Sequence, residues 1–548
     1  MVWVFYLERM MSLKYLRPTI RTEALVWNWY AWGYLIQPIT AGCNIVERHL
    51  KIMQSYIQNP LVHAQAVKDP KMLGGPFLDL GGKRVEEIKQ LIIDTKEICS
   101  SLMSLNDSYK ELDRILQVEA VGDSLDNIYP RIPDALKGLV EIVYDLNNHP
   151  SIRIIEPLVY SKYYVESVKG QRVALSDTIS DDRKFVLSTP RLDQDDEVYL
   201  NLPFHDPRID ALFKMKYEPR DVTDINDLFH IPESKQSLFK SFFTSAPPNL
   251  SVDRKYSGDG VRLRYFGHAC ILVETRSVSI LFDPVIGYPI KTEEDQKVPR
   301  YTLADIPDNI DYVVLTHNHQ DHILFETLLQ LRHKVKNIVF PASQIGSLGD
   351  PSIKLILKYI GFSCNLIELK EMEEVILPAG EGKITGLPFF GEHSDLNIQS
   401  KMAYSLKLKG KHFLFAADSN NLDQTLYDHI FAHVGEVDML FLGMECNGAP
   451  LTWLYGSLLT TPLNRLYDNS RSLSGSNFEK AWLIAQKSKC KEAYIYAMGQ
   501  EPWLRYIMAL EYTEDSPQIV ESNKFIAACV ANGIKAERPY GRKEWVIE

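Results

Sequence analysis

The chain has 548 residues, of which 45% are hydrophobic and 24% are charged, and its formal net charge at pH 7 is −11. This length exceeds what one hydrophobic core usually supports, so two or more domains are expected. The acidic balance disfavours a nucleic-acid-binding protein, which needs a basic surface. No apolar run is long enough to span a bilayer, so no membrane partner is predicted.

The N-terminal segment M-V-W-V-F-Y-L-E-R-M-M lacks the features of a secretion signal. It contains an acidic residue and no small-residue cleavage site, and Met1, Met10 and Met11 are alternative start positions. The seven cysteines are odd in number and form no C-x-x-C motif, which indicates neither a disulfide framework nor a thiolate metal site. We therefore expect a reducing, cytoplasmic location.

Residues 1–245 are predicted to form an α+β domain. Apolar spacing predicts helical structure over residues 84–118 and another amphipathic helix over residues 134–146. Four apolar runs between residues 152 and 202 predict strands, namely I-R-I-I-E-P-L-V-Y, R-V-A-L, F-V-L-S-T and E-V-Y-L-N-L. This part contains no recognisable catalytic motif. The Pro, Ser, Gly and Asp residues around 246–259 predict a linker.

Residues 260–548 are predicted to form a layered α/β domain. Short apolar runs predict a series of strands that begins with V-R-L-R-Y-F and ends with A-Y-I-Y-A. Helices are predicted between them, at residues 323–334, 351–360, 422–433 and 477–488. Alternating strands and helices of this kind indicate a sheet covered by helices.

The strongest chemical signal is T-H-N-H-Q-D-H at residues 316–322, directly after the apolar run I-D-Y-V-V-L. His317 and His319 are two positions apart in an extended segment, so both side chains can face one side. Asp321 and His322 are predicted to open the following helix. Two ligand pairs that point at neighbouring positions suit two metal ions. The alternative, a polar loop with surface histidines, is disfavoured by this density of ligand side chains.

The H-x-H-x-D-H spacing resembles the signature of the metallo-β-lactamase fold, and the resemblance covers about residues 260–548. It implies an αββα sandwich for this part. Asp283 in I-L-F-D-P resembles an aspartate that orients a ligand histidine. Asp418 in F-A-A-D-S resembles the aspartate that bridges the two metals, although by itself it would be interpreted as a turn or helix-cap residue.

Two positions depart from the hydrolases of this fold, which usually place a histidine at each. In G-E-H-S-D-L, Glu392 and His393 are adjacent, and adjacent side chains of an extended segment point in opposite directions. The strand D-M-L-F-L-G-M-E ends in Glu445. If Glu392 is the ligand, one metal has two histidines and one carboxylate, a set suited to non-haem iron. If His393 is the ligand, the set is closer to that of zinc hydrolases.

Longer segments resemble the diiron β-hydroxylases of nonribosomal peptide synthesis, of the chloramphenicol-pathway type. They include G-E-H-S-D-L, F-A-A-D-S-N-N, Y-A-M-G-Q-E-P-W-L and, near the start of the chain, S-L-K-Y-L-R-P-T-I-R. The resemblance runs the full chain. It implies iron ligands at His317, His319, Asp321, His322, Glu392 and Asp418.

The roles of two further residues stay open. Glu445 either approaches the second iron or hydrogen-bonds a ligand, and its alternative is a surface glutamate at a strand end. His268 in F-G-H-A-C either supports a ligand or is a turn histidine. The resemblance gives Glu392, Asp418 and Glu445 catalytic roles.

The resemblance implies an enzyme that uses two iron ions and O₂ to hydroxylate Cβ of an amino acid. That amino acid is held as a thioester on the phosphopantetheine arm of a carrier domain in a nonribosomal peptide synthetase. The sequence has no G-x-G-x-x-G motif after a strand, so we expect the electrons to come from an external electron-transfer partner. The family also implies a homodimer joined through the N-terminal domain.

Two other hypotheses remain, and a third has no support. A dizinc hydrolase, such as a thioesterase on acyl-carrier substrates, would share the fold. A binding module with a vestigial site is disfavoured, because every assigned metal position holds a competent ligand. A serine hydrolase lacks its G-x-S-x-G motif. The basic runs at residues 332–336, 487–491 and 541–543 are candidate contacts for an acidic carrier domain.

Overall fold

The structure is a computed structural model that describes residues 13–221, 225, 228–251, 253–292, 294 and 296–548. The three alternative start positions lie outside the described residues. Of the helices in these ranges, none combines the length and the apolar character that crossing a membrane requires.

The N-terminal part of the chain combines short antiparallel sheets with helices. One sheet has the strand order Trp29–Tyr30, Ile20–Val26, Gln171–Asp177 and Val198–Leu200. Another contains Arg220–Asp221, Leu13–Leu16 and Phe243–Thr244, and a separate hairpin pairs Val140–Tyr144 with Pro150–Ile154. The helices, in chain order, are Gly33–Ile36, Pro38–Asn44, Leu50–Gln58, Pro60–Ala66, Val85–Ile98, Ser100–Glu119, Glu156–Lys169, Pro207–Lys214 and Glu233–Ser241.

Two seven-stranded sheets form the C-terminal part. The first has the order Asn365–Leu369, Val335–Pro341, Ile310–Val314, Ser279–Phe282, Cys270–Glu274, Val261–Gly267 and Lys543–Ile547. The second has the order Glu374–Ile376, Gly382–Leu387, Ala403–Leu408, Lys411–Phe415, Met439–Gly443, Glu492–Tyr496 and Lys535–Glu537. The helices are Phe325–Leu331, Ile353–Tyr359, Gln424–Val434, Thr452–Tyr455, Arg465–Ser470, Phe478–Ser488, Arg505–Met508 and Pro517–Ala531.

The two sheets pack face to face around an aromatic core. Phe282 of the first sheet stacks on Phe415 of the second, with ring centroids 4.0 Å apart. Helices cover the outer faces, where Ile430, Ile484 and Phe525 are buried against the second sheet. Because both faces of each sheet are covered, the central strands are buried along their whole length. The layers are those of the αββα sandwich that the sequence implies.

Three N-terminal predictions are wrong. Residues 134–146 contain the strand Val140–Tyr144 instead of a helix, because V-E-I-V-Y pairs with Pro150–Ile154 across a turn. E-P-L-V-Y begins the helix Glu156–Lys169, where Pro157 occupies a position that proline tolerates. F-V-L-S-T forms no strand, and its backbone bonds instead to Tyr506 through the Val186 N–H.

The N-terminal part packs directly behind the T-H-N-H-Q-D-H segment. A Cβ on Gly33 would lie 2.8 Å from Asn318 Oδ1, so glycine allows this close approach. The Tyr34 hydroxyl donates to the Gly349 carbonyl at 2.6 Å. Arg183 donates at 2.6 Å to both Glu23 and Glu326, which joins the two parts through a buried ion pair. These contacts hold residues 316–322 and the helix that follows them against the N-terminal part.

Candidate metal centre

The predicted ligands come from loops at the ends of strands. Strand Ile310–Val314 leads into residues 316–322, strand Lys411–Phe415 leads to Asp418, and strand Met439–Gly443 leads to Glu445. Parallel strands bring these carboxyl ends to one edge of the sandwich. The site therefore lies between the two sheets, where strand pairing fixes the starting point of each loop.

Three overlapping groups of ligand atoms meet there. They comprise His317, His319 and Glu392; His317, His322 and Asp418; and His268, Asp321 and His322, with the ligand atoms of each group within 4.8 Å of one another. His319 Nδ1 lies 3.3 Å from Glu392 Oε1. Asp418 Oδ2 lies 2.9 Å from His322 Nε2 and 3.6 Å from His317 Nε2. Asp418 therefore faces both halves of the site, which is the position that a bridging carboxylate needs.

Asp283 orients the imidazole of His322. Its carboxylate accepts hydrogen bonds from the Thr316 amide at 2.8 Å and the Thr316 hydroxyl at 2.7 Å. Asp283 Oδ2 also lies 2.8 Å from His322 Nδ1. The Nδ1–H group of His322 can thus donate to this carboxylate, which leaves Nε2 free to bind a metal.

His268 has the geometry of a residue that orients Asp321. The Gly499 amide donates to His268 Nδ1 at 3.1 Å, so the proton of the neutral ring is on Nε2. That nitrogen donates to Asp321 Oδ2 at 3.0 Å. Asp321 and His322 themselves lie in a turn, because the helix begins only at Phe325. The prediction that they open the helix is wrong.

The third motif forms a compact turn, and the prediction of an extended segment there is wrong. Glu392, Ser394 and Asp395 have left-handed backbone angles, with φ of 65°, 55° and 58°. This turn buries both Glu392 and His393. Glu392 faces His319, whereas His393 Nδ1 lies 2.6 Å from the Tyr455 hydroxyl and joins none of the three ligand groups. The geometry favours Glu392 as the ligand.

Negative charge accumulates at the centre. Burial, together with the nearby Asp418 and Asp321, raises the pKa of Glu392 well above its ordinary value. Burial and the Glu392 carboxylate raise the pKa of Glu445 in the same direction. The pKa of His317 shifts in the opposite direction. Burial and the neighbouring imidazoles of His322 and His319 lower it well below the usual range.

This donor set fits two divalent cations. Four carboxylates converge here, from Asp321, Glu392, Asp418 and Glu445, and two divalent ions would neutralise them. Asp418 Oδ1 is buried and has no hydrogen-bond partner among the described residues, as expected for an oxygen reserved for a metal. Mixed imidazole and carboxylate donors without a thiolate suit iron.

A cavity of about 1000 Å³ leads to these residues. Glu392, Glu445 and Asp321 lie on its wall, and Arg48 and Phe185 of the N-terminal part also line it. Sequence analysis missed these two N-terminal residues, since no local motif marks a wall that distant segments assemble. Trp453 also lines the cavity, and the Tyr455 hydroxyl lies 2.9 Å from His319 Nε2.

Two of the predicted basic runs are neutralised. Arg332 is buried and ion-paired with Asp210, and Lys334 is also buried. In the second run, the three lysines each form an ion pair with an acidic side chain: Lys487 with Asp428, Lys489 with Glu436 and Lys491 with Asp438. Neither run offers the strongly basic surface that a docking patch for an acidic partner needs.

Comparisons with known proteins agree with this geometry. The model of the diiron non-heme beta-hydroxylase N-terminal domain matches residues 15–247, and that of a beta-lactamase superfamily domain matches residues 279–449. A Streptomyces venezuelae protein named 4-amino-L-phenylalanyl-[CmlP-peptidyl-carrier-protein] 3-hydroxylase is 37% identical over 536 residues, which are 96% of this chain and 98% of that protein. The crystal structure of CmlA, a diiron beta-hydroxylase from Streptomyces venezuelae, superimposes with a TM-score of 0.89 and 35% identity, over 98% of this chain and 99% of that one.

Proposed function

Because the chain belongs to the family of diiron non-haem β-hydroxylases, we propose that it is an O₂-dependent monooxygenase acting on a carrier-bound amino acid. It hydroxylates Cβ of an amino acid that a nonribosomal peptide synthetase holds as a thioester on a carrier domain. The observation that carries this proposal is Glu392, a carboxylate that faces His319 at the third ligand position. The name of the Streptomyces venezuelae relative, an aminoacyl-carrier 3-hydroxylase, supports the substrate class.

We assign the ligands to two iron positions. His317, His319 and Glu392 would hold one iron, and Asp321 and His322 would hold the other. Asp418 would bridge the two, since its Oδ2 faces a histidine from each set. Glu445 lines the cavity beside them and would complete the carboxylate set near the second iron.

The bound iron pair supplies the activation of O₂. One oxygen atom enters the Cβ–H bond and the other leaves as water, with two electrons from an external donor and two protons. The chain's own residues hold the geometry for this reaction. Asp283 fixes the His322 ring, and His268 fixes the Asp321 carboxylate. Phe185 and Trp453, which stack 5.4 Å apart on the cavity wall, exclude water from the passage.

The dizinc hydrolase hypothesis loses its main support. It requires His393 as a ligand, but His393 Nδ1 lies against the Tyr455 hydroxyl and outside the three ligand groups. The similarity to the hydroxylase relative spans both parts of the chain. Similarity confined to the C-terminal sandwich would have been equally compatible with the dizinc hydrolase hypothesis.

Location, assembly and domain division also belong to this proposal. All seven cysteines are free thiols, which agrees with a reducing cytoplasm. We take residues 1–245 as the N-terminal domain, 246–259 as the linker and 260–548 as the catalytic domain. The N-terminal domain would form the homodimer contact and help to dock the carrier domain. Its exposed apolar side chains, such as Leu61, Val121 and Val165, suit such a contact.

The test is a turnover assay with defined substrates. The iron-loaded enzyme, a chemical reductant and O₂ would be incubated with holo-carrier domains that bear different amino acids. We expect one aminoacyl group to gain the mass of one oxygen atom, and heavy-isotope O₂ to label it. Release of the free amino acid, without O₂ uptake, would instead identify a thioesterase and overturn the proposal.

A further inference from the structure

Arg48 is a buried cation on the cavity wall. Only 9% of the residue is exposed, and it lines the cavity that leads to the metal ligands. Its Nη2 donates to the backbone carbonyls of Trp453 at 2.8 Å and Leu454 at 3.0 Å. Its Nη1 has no hydrogen-bond partner among the described residues. Its Nη2 is therefore anchored to the backbone, and Nη1 is a buried donor that the described residues leave unsatisfied.

The chain does not provide Arg48 with a counter-ion among the described residues. Glu47, the neighbouring carboxylate, is ion-paired with Lys51 and Lys110, each at 2.6 Å. Burial lowers the pKa of Arg48 to about 10, and no charged neighbour in the described part of the chain opposes that effect. An unpaired buried donor is costly, so Nη1 is expected to have a partner outside the chain, either water or a bound ligand.

Arg48 lies between the cavity mouth and the metal ligands. It belongs to the π-helical turn Ile45–His49, a feature that is frequent at functional sites. Further along the same helical segment, Lys51 and Ser55 also line the cavity but are exposed, which places them at its mouth. On the opposite side, Arg48 holds the backbone of Trp453 and Leu454, and the next residue, Tyr455, contacts His319.

The groups of a tethered substrate would follow one another along the cavity in a fixed order. If Cβ reaches the metal ligands, the thioester and the amides of the phosphopantetheine arm extend back towards the mouth. Of the polar groups of the arm that pass Arg48, the carbonyl oxygens of the amides and the thioester are the acceptors that its N–H groups could reach. A planar guanidinium with two donors already fixed can direct a further N–H at such an oxygen with little loss of entropy.

We propose that Arg48 binds a carbonyl oxygen of the tethered substrate, on either the pantetheine amides or the thioester, and thereby sets the depth of Cβ in the cavity. This inference rests on the proposed carrier-bound substrate. It assigns substrate positioning to a residue of the N-terminal part that lines the cavity between its mouth and the metal ligands. The N-terminal part would then have a direct role in the reaction.

The test measures binding rather than turnover. A carrier domain that the wild-type enzyme binds would be prepared with and without its phosphopantetheine arm, and the dissociation constants would be compared. We expect the wild type to bind the armed carrier more tightly than the armless one. Arg48→Met should reduce this ratio of dissociation constants by roughly tenfold or more, as for the loss of a charge-assisted hydrogen bond. Binding of the armless carrier should not change.

Matched variants separate the possible outcomes. Lys51→Met removes a cation from the mouth on the same helical segment and should retain the gain from the arm. Arg48→Lys keeps the charge without the planar set of donors and should still lose most of that gain, which covers the case of an unstable methionine variant. Acetyl-pantetheine and acetyl-N-acetylcysteamine as competitors distinguish an outer arm amide from the groups nearest the thioester.

Three results would overturn the inference. A gain from the arm that persists in both Arg48 variants would show that Arg48 does not touch the arm. Equal weakening of the armed and armless carriers would indicate a surface or folding effect. If the wild type itself binds both carriers equally, the arm gains no contact in the cavity and the inference fails, whereas the turnover assay decides separately whether the substrate is carrier-bound.

Discussion

At the residue level, the proposed iron chemistry depends on Glu392. Its left-handed turn places a carboxylate against His319, where hydrolases of this fold present an imidazole. Lys401 supports the same turn by donating to the Gly391 carbonyl at 3.0 Å. The neighbouring His393 is bound to Tyr455 instead. These adjacent residues thus face different groups, Glu392 the proposed ligand His319 and His393 the hydroxyl of Tyr455.

The carboxylate of Asp283 should contribute to metal affinity. Asp283→Asn removes the negative charge that accepts the His322 Nδ1–H and the Thr316 donors. We expect metal affinity to fall by about tenfold to hundredfold, the usual effect of losing such a support. Chelator competition measures this. Asp311→Asn alters a carboxylate that contacts Ser279 and Lys336 instead, and should leave affinity unchanged. Equal losses in both variants would contradict the assigned role of Asp283.

At the scale of elements, strand Met439–Gly443 lies close to the bridging carboxylate. A Cβ on Gly443 would lie 2.7 Å from Asp418 Oδ1 and 2.9 Å from the Ala417 carbonyl. No flexible side chain separates these groups, so alanine there must displace the Asp418 loop. The glycine at the end of this strand thus leaves space for the Asp418 carboxylate, the proposed bridge between the two metals.

Gly443→Ala should therefore lose metal while the sandwich still folds. We expect fewer than the full number of bound irons per chain, with an unchanged circular dichroism spectrum. The control is Gly349→Ala, where the nearest atom to an added Cβ is Ser347 Oγ at 3.9 Å. Full iron occupancy in Gly443→Ala would show that the Asp418 loop moves freely and that this strand end does not constrain the metal bridge.

Local sequence predicts these elements unevenly. The strands of the sandwich are continuous apolar runs with ligands at their ends, so both the strands and the ligand cluster are visible in sequence. The hairpin at Val140–Tyr144 is missed, because V-E-I-V-Y fits a helical period as well as a strand, and its partner Pro150–Ile154 decides the outcome. The turn at Glu392 is missed, because a non-glycine residue with positive φ leaves no sequence signature.

At the scale of the whole molecule, buried charge joins the two parts of the chain. Arg183 lies between Glu23 of the N-terminal part and Glu326 of the helix that follows the metal loop. Arg191 gives Glu23 a second partner at 2.7 Å. These residues are far apart in sequence, so no local pattern predicts the network or the shared cavity. The network holds the N-terminal wall against the metal-binding loop.

Arg183→Met should destabilise the folded protein. It leaves Glu326 without its guanidinium partner in a buried position, and breaking such a pair costs about 3–5 kcal/mol. Denaturant unfolding monitored by tryptophan fluorescence measures this loss. Arg114→Met, which removes an exposed pair with Glu111, is the control and should have no measurable effect. Similar stability of the two variants would mean that the buried network contributes little.

Lys216 predicts a pH dependence of stability. Burial lowers the pKa of this lysine to about 7, against 10.5 for the unperturbed group. Between these values the unfolded chain binds the proton that the folded protein has released, so stability rises with pH. Relative to Lys216→Met, the wild type should gain stability from pH 7 to about pH 9. If the free energy of unfolding changes by the same amount between these pH values in the wild type and in Lys216→Met, the lowered pKa of Lys216 is contradicted.

Metal content and an optical spectrum test directly whether the protein binds a pair of irons through Glu392. Wild-type protein and Glu392→His would be purified from iron-supplemented cells. We expect the wild type to hold about two irons per chain, with near-ultraviolet absorption that bleaches on reduction, and the variant to lose that absorption and take up zinc. Two zincs in the wild type, without this absorption, would contradict a diiron centre and favour a hydrolase.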